Sequence, residues 1–350
     1  MMTSKNARIL IYGGCFDPVH TGHTYLLKQA IKKIKPNKIY IIPNSIPPLK
    51  NHNNFSLPKN RLEMCKIAFG KIKNVIISDW EIKTFKNQVS YTYKTIKYFK
   101  TQFPKSNLYL LIGSDHFYDF KKWKNWNYII KNVNVIVGNR TSKQVRTNDK
   151  YFIVINMKPI EISSQELRIE PNKKYLDKKI LNYIKEHKMY VNIQIKNMMS
   201  KSRYLHTLRV KDTALQIAKA IKYPNLTKVY YAAMYHDIAK EFSKHKTLKL
   251  IKHYDKNYYP TIHTLHGIAS AVYASKHFNV TDKEILNAIS EHVLPHNNCS
   301  KLAKIIYCAD KLEPSRTKQD ISNRIAYLKL VKNNLNKGFS KLYKEIKEKY

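Results

Sequence analysis

Gly13-Gly14-Cys15-Phe16-Asp17-Pro18-Val19-His20-Thr21-Gly22-His23 is the stretch on which the fold turns. It follows Ile9-Leu10-Ile11-Tyr12, a short apolar run of the kind that forms a buried parallel strand entering a tight turn. Leu26, Leu27, Ala30, Ile31 and Ile34 then recur at helical spacing as far as Pro36. Lys38 to Pro43 reads as a second strand, and Asn74 to Ser78, Leu108 to Ile112 and Val133 to Val137 as further strands with helical patterns between them. Alternating strands and helices predict an α/β, doubly wound, Rossmann-like domain. Ligands of such sheets sit outside the carboxyl ends of the strands, where this turn lies. Gly13 and Gly14 let the backbone approach a phosphate closely. His20 and His23 open the following helix, where free N–H groups and the dipole favour an anion. Two imidazoles there can stabilise charge on a transferring phosphorus without a covalent nucleophile.

Beyond about Tyr190 the pattern changes. Arg203 to Ile221, Val229 to Lys240, Thr264 to His277, Lys283 to His292, Ser300 to Lys311 and Ile325 to Tyr350 all read as helices. Only Val191 to Ile195 carries β-type alternation. The expectation is an all-α second domain, divided as 1–192 and 193–350. The lysine-rich end, Lys337 to Lys349, reads as a solvated helix face.

A chain of 350 residues suits about two domains, and 43% apolar residues rule out a disordered or collagen-like polypeptide. The formal charge is +40, from 64 basic and 24 acidic residues. Only nine of the basic residues are arginine, and the lysines are scattered among Asn, Ile and Tyr, which resembles a coding bias more than a basic groove. The charge attracts nucleotides and RNA non-specifically, and no dedicated nucleic-acid site is expected. The four cysteines form no CxxC pair, which fits a reducing cytoplasm, and no stretch approaches a membrane span.

The glycine-histidine string resembles the HxGH signature of the nucleotidylyltransferase superfamily. Further strings resemble nicotinate-nucleotide adenylyltransferases over about residues 8 to 190. These are Ile42 to Lys50 (P-x-x-x-P-P-H-K), Arg61-Leu62-Glu63-Met64, Asp79-Trp80-Glu81 with Ser90 to Thr95, Gly113-Ser114-Asp115 with Trp123-Lys124, and Ile162 to Arg168. Leu49 stands where that family has histidine, and Gln165 where it has threonine. The resemblance implies adenylyl transfer from ATP, with Mg²⁺, to nicotinate mononucleotide. It makes His20 and His23 catalytic, with Gly13, Gly14, Phe16, Asp17, Lys50, Thr92, Tyr93, Gly113, Asp115, Trp123, Ser163, Ser164 and Arg168 binding ATP or substrate. Trp123 offers a ring for stacking nicotinate. Arg168, after two serines, is placed to clamp phosphate.

In the second half His206, His236-Asp237, His266, His292 and Asp310 lie far apart in sequence. Imidazoles and carboxylates together suit Fe, Mn, Zn or Co, and a helical bundle can direct them to one point. The His236-Asp237 pair on an apolar helix is the sharpest sign, because burying an acid beside an imidazole is costly without a compensating partner. With Arg203 to His206, His236 to Glu241, His266-Gly267, Ala288 to His292 and Lys304 to Arg316, the pattern resembles the HD phosphohydrolases. Within them it is similar to bacterial symmetrical diadenosine tetraphosphate hydrolases. That resemblance implies that the six residues hold one or two ions, iron foremost, with Lys240 and Arg316 countering phosphate charge. Val293 to His296 departs from the family's Thr/Gly-rich turn, and His263 and His296 have no assigned role. Two other readings of the tail stand beside it: hydrolysis of a different nucleotide, and a non-catalytic module for RNA or a ribosomal partner.

Overall fold

Each apolar run of the first half pairs in parallel with its neighbours. The strands are β1 (Arg8–Gly14), β2 (Lys38–Pro43), β3 (Val75–Ile77), β4 (Asn107–Gly113), β5 (Asn134–Gly138) and β6 (Phe152–Ile155). They form one sheet in the order β3-β2-β1-β4-β5-β6, every pairing parallel. β6 is an addition to the expected set: its residues cover only the sheet edge and are mostly half-buried. The computed structural model describes residues 6–48, 55–86, 88–139, 145–251, 261, 263–296, 298–317 and 321–349, in two units, Met1–Tyr190 and Val191–Tyr350.

The helices of the first unit are α1 (Thr21–Ile34), α2 (Pro58–Phe69), α3 (Trp80–Phe85), α4 (Thr92–Gln102), α5 (Ser114–Tyr118), α6 (Trp126–Asn132), α7 (Ser164–Ile169) and α8 (Lys178–Glu186). The i, i+4 apolar stripe of α1, Leu26, Leu27, Ala30 and Ile34, is buried as its spacing requires. Successive strands run outward from β1 to β3 on one side and from β4 to β6 on the other. The order therefore reverses between β1 and β4, and a crevice opens at that point beyond the carboxyl ends. β1 pairs with β4 up to Ile11 opposite Leu110, and the two strands run on to Gly14 and Gly113. The glycine turn and the Gly113-Ser114-Asp115 segment thus flank the crevice.

The second unit is helical: α9 (Val191–Met198), α10 (Lys201–Ala220), α11 (Leu226–Tyr235), α12 (Lys244–Leu250), α13 (His266–Phe278), α14 (Lys283–Ser290), α15 (Lys301–Leu312), α16 (Arg324–Asn333) and α17 (Leu335–Lys349). Three expectations need correction. Val191 to Ile195 is helix α9, because Val191 and Ile195 recur one turn apart and both enter the core of the bundle. The helix expected over Val229 to Lys240 ends at Tyr235, so His236 and Asp237 lie in a tight turn. The C-terminal run is two helices, broken at Asn334, whose side chain accepts from Lys337 N. There Gly338 lies so close to Val331 that a Cβ would meet its backbone at 2.7 Å. Lys337, Lys341, Lys344 and Lys347 are exposed, as a solvated face requires. Among the described residues no helix is long and apolar enough to cross a membrane.

Candidate active sites

In the first unit His20 ends the turn and caps α1. Its Nδ1 accepts from Gly22 N at 3.1 Å, while His23 Nδ1 accepts from His20 N at 3.2 Å. The signature is thus a capping box made of two histidines. An Nδ1 that accepts a hydrogen bond carries no proton, so in the neutral rings the hydrogen sits on Nε2. The two rings lie 3.8 Å apart, which sets two N–H donors together at a helix N-terminus.

Phe16 and Asp17 lie beneath this turn. Phe16 adopts φ 52°, unusual for a bulky residue, and its ring packs against Tyr12, His23 and Phe69. It also fills the space over Gly14, where a Cβ would meet the ring at 3.0 Å. Neither turn glycine needs a positive φ. Phe16 and Asp17, expected among the ATP- or substrate-binding residues, thus have buried side chains that pack and bond beneath the turn. Asp17 is fully buried and accepts from Ser56 N at 3.0 Å, the Ser56 hydroxyl and Tyr190 OH at 2.7 Å. The peptide Asp17–Pro18 is cis.

The later motifs fasten loops to this turn. Ser164 Oγ donates to Pro18 O at 3.0 Å and Arg168 Nη1 to Asp17 O at 2.7 Å, while Ser163 caps α7 by reciprocal bonds with Glu166. Arg61, 1% exposed, was not singled out for the site. It donates to the carbonyls of Cys15 (3.2 Å), Ser45 (2.7 Å) and Ser56 (3.3 Å), joining the β1–α1 turn to both ends of the β2–α2 connection. Glu81 is buried and accepts from Thr95 Oγ1 at 2.6 Å, and Ser90 Oγ accepts from Ser45 N. Burial pushes the Glu81 carboxyl up, against hydrogen bonds from Ser90, Thr95 and Asn44. Thr92 and Tyr93 begin α4, and Asp115 lies on the first turn of α5, its carboxylate over Gly113. Trp123 packs on Phe120 and His116, and its buried indole N–H has no partner among the described residues. Lys50 and Leu49 lie outside the described residues; Gln165 is exposed.

In the second unit the six expected metal ligands meet. Asp237 is at the centre: its Oδ1 lies 3.2 Å from His266 Nε2 and 3.3 Å from His292 Nε2, and its Oδ2 lies 3.6 Å from His236 Nε2 and 3.7 Å from His206 Nε2. Asp310 Oδ1 is 3.1 Å from His206 Nε2. Two triads, His206–His236–Asp310 and His236–Asp237–His292, bring their donor atoms within 4.8 Å of one another. Each imidazole is anchored from behind. Nδ1 of His236, His266 and His292 faces the carbonyls of Ala233, His263 and Ile289 at 2.6, 2.5 and 2.7 Å, and Nδ1 of His206 faces Glu313 Oε1 at 3.1 Å. With Nδ1–H donating, Nε2 is the free donor atom for a cation. His236 Nε2 is fully buried with no hydrogen-bond partner among the described residues. These are the donor type and burial that a divalent ion requires.

Local packing explains the convergence. Ser200 caps α10, and its N and Oγ both donate to Glu241, which ties the His236-Asp237 turn to the start of that helix. Ser270 Oγ on α13 accepts from Ala239 N. At Gly267 a Cβ would come within 2.6 Å of Ser290 O, so the bare glycine lets α13 press on the end of α14 and brings His266 beside His292.

Burial lowers His236 to about 4, against the pull of Asp237, and lowers His266 as well. Burial raises Asp237 and Asp310, but the cationic and hydrogen-bonding neighbours win and hold both well below the usual carboxylate range. The neighbours include Arg203 Nη1, 2.7 Å from Asp237, and Lys311 Nζ and Arg316 Nη2, 2.7 and 2.9 Å from Asp310. Arg203, Lys240, Lys311 and Arg316 line a cavity of 360 Å³ with Asp237, Asp310 and His266. Arg203 and Lys311 were carried in motif strings but not singled out as site residues. Arg209 and Glu313 were not singled out either. Glu313 lay within the string Lys304 to Arg316, but its pairing with His206 and Arg209, about a hundred residues away, leaves no local mark in the sequence.

The chain matches the cytidylyltransferase-like family over residues 11–170 and the HD domain over residues 203–315. A Mycoplasma genitalium relative named "probable nicotinate-nucleotide adenylyltransferase/Ap4A hydrolase" is 35% identical over 341 residues, 95% of each chain. A Mycoplasma pneumoniae relative of the same name is 31% identical, over 97% of this chain and 98% of its own. The chain belongs to this family of fused adenylyltransferase/hydrolases. Among solved structures, the Plasmodium falciparum nicotinic acid mononucleotide adenylyltransferase complexed with NaAD is 20% identical over 53% of this chain and 98% of its own, with a TM-score of 0.46. An HD-superfamily hydrolase involved in NAD metabolism from Clostridium acetobutylicum is 29% identical over 45% of this chain and 86% of its own, with a TM-score of 0.41. The family's order of parts is the order seen here: a Rossmann-like sheet domain, then a helical HD domain.

Proposed function

We propose that each unit carries one reaction. The first transfers adenylyl from MgATP to nicotinate mononucleotide, giving nicotinate adenine dinucleotide and pyrophosphate. The second cleaves diadenosine tetraphosphate symmetrically to ADP. The observation that carries this reading is the convergence of two separate sets of groups: paired imidazoles at a helix N-terminus, and four imidazoles with two buried aspartates.

In the first reaction a phosphate oxygen of the mononucleotide displaces pyrophosphate at the α-phosphorus. The His20 and His23 N–H groups, with the α1 terminus, stabilise charge on the phosphoryl oxygens. Gly13 is open for close approach, since a Cβ there would meet nothing nearer than 4.0 Å. Thr92, Tyr93, Asp115 and Trp123 are assigned to the nucleotide substrates, and Ser164 and Arg168, on the helix that Ser163 caps, hold the turn in register with them.

In the second reaction His206, His236, Asp237, His266, His292 and Asp310 would hold one or two divalent ions; the mixed nitrogen–oxygen set suits Fe, Mn, Co or Zn, and the family resemblance puts iron first. Bound there, such ions supply Lewis acidity and an acidified water. Lys240, Arg203, Lys311 and Arg316 receive the phosphate chain. A binding module would give no reason to bury six such donors around one point. The free cysteines suit the cytoplasm as the place of action.

Incubating the purified chain with ATP and nicotinate mononucleotide should yield the dinucleotide and pyrophosphate, and diadenosine tetraphosphate should yield ADP as sole product. Absence of the first pair refutes the transferase assignment. AMP with ATP, or no cleavage by metal-loaded protein, refutes the second.

A further inference from the structure

One of the four clustered imidazoles is held differently from the rest. Backbone carbonyls back His236, His266 and His292, whereas a carboxylate backs His206: Glu313 Oε1, 3.1 Å from Nδ1, on a residue 1% exposed. Glu313 follows Leu312, the last residue of α15. It is itself pinned. Its Oε2 accepts from Arg209 Nε at 2.7 Å and from Ser315 N at 2.8 Å, and its Oε1 accepts from the Ser315 hydroxyl. These donors, on two elements, fix the buried carboxylate so that its Oε1 faces Nδ1 of His206. A charged acceptor strengthens that hydrogen bond relative to a carbonyl, and it raises the basicity of the opposite ring nitrogen.

We propose that Glu313 is a positioning residue: it fixes the orientation and tautomer of His206 and thereby sets the cation affinity of the position made by His206, His236 and Asp310. The inference rests on the metal-hydrolase reading for the existence of a cation, and on this geometry for the part Glu313 plays. It also separates the two positions chemically, since the His236–Asp237–His292 group has only carbonyl-backed imidazoles.

The full chain is stripped with a chelator and titrated with Co²⁺, following the visible absorption of the bound ion and competition with a coloured chelator. E313Q should weaken one binding step about 10- to 100-fold, leave the other step near wild type and change the cobalt spectrum. With substrate, kcat should fall while KM stays within about twofold. A purely structural glutamate would lower the melting temperature and leave affinity and spectrum unmoved, and that result overturns the inference. Wild type that takes up no cobalt overturns the metal reading as well; wild type that binds, with E313Q unchanged, overturns this inference alone. Should E313Q fail to fold, ¹⁵N-histidine shifts of chelated wild type decide, with His206→Gln giving the assignment. A hydrogen on Nδ1 of His206 supports the proposal, and a hydrogen on Nε2 alone sinks it.

Discussion

Replacing Arg61 by leucine tests how the transferase turn is held. The guanidinium is 1% exposed and donates to three carbonyls, of Cys15 in the β1–α1 turn and of Ser45 and Ser56 in the β2–α2 connection. Ser45 is buried, so its orphaned carbonyl costs about 1–3 kcal/mol; Cys15 and Ser56 are half-buried, can recruit water, and lose about 1 kcal/mol each. The sum is about 3–5 kcal/mol, and Arg61→Lys, with one amine in place of a fork, should lose about 2 kcal/mol. All three tryptophans, Trp80, Trp123 and Trp126, belong to the first unit, so their fluorescence during urea unfolding reports on that unit alone. With a slope of about 2 kcal/mol per molar urea the midpoint should fall by roughly 1.5–2.5 M. Adenylyl transfer should also fall about 100-fold, because displacement of a catalytic turn by about 1 Å has that effect. A midpoint within 0.3 M of wild type (about 0.6 kcal/mol at that slope), together with transfer within about twofold, would refute the view that Arg61 joins the loops.

Three further outcomes follow from the two sites. His20→Ala and His23→Ala should abolish dinucleotide formation, leave diadenosine tetraphosphate cleavage intact, and cost about 1 kcal/mol through the lost helix cap; assaying both reactions on one preparation checks this. Chelated protein should lose stability on acidification. The His236 pKa is about 4 when folded against about 6.5 unfolded, so between those values the unfolded chain holds a proton that the folded chain lacks, and stability rises with pH. From pH 7 to 4.5 the loss from this group is about 2 kcal/mol, which His236→Gln should remove; an unchanged slope by circular dichroism would contradict the burial argument. Restoring a divalent ion at about 100 times its Kd should stabilise the helical unit by about 2.7 kcal/mol, and equal melting with and without the ion would argue against a cation at the His–Asp cluster.

The strand–glycine–helix start, the period of α1, and the alternation that builds a parallel sheet were legible because each depends on residues within one or two turns of chain. That His20 and His23 open α1 was equally local, and the capping box they form spans only residues 20–23. The sequence also misled in places for local reasons. Ile193 and Ile195 alternate like a strand, yet Val191 and Ile195 serve a helix. The apolar residues either side of His236-Asp237 imitate one continuous helix, whereas Ile238 N bonds to Tyr235 O and Lys240 N to Asp237 O in tightened turns. That tightening lets adjacent residues turn their donor atoms to a common centre.

Residue order alone gave a sheet domain followed by helices, a candidate phosphate-handling turn, and six candidate cation ligands. Which oxygen of Asp237 faces which imidazoles, why Arg61 is buried, and that Glu313 stands behind His206 from 107 positions away were decided by tertiary packing. The physical reason is range. Capping, periodicity and turn chemistry act over a few residues and leave a mark in the string itself. A hydrogen bond between distant residues exists only once several independently formed helices have packed against one another.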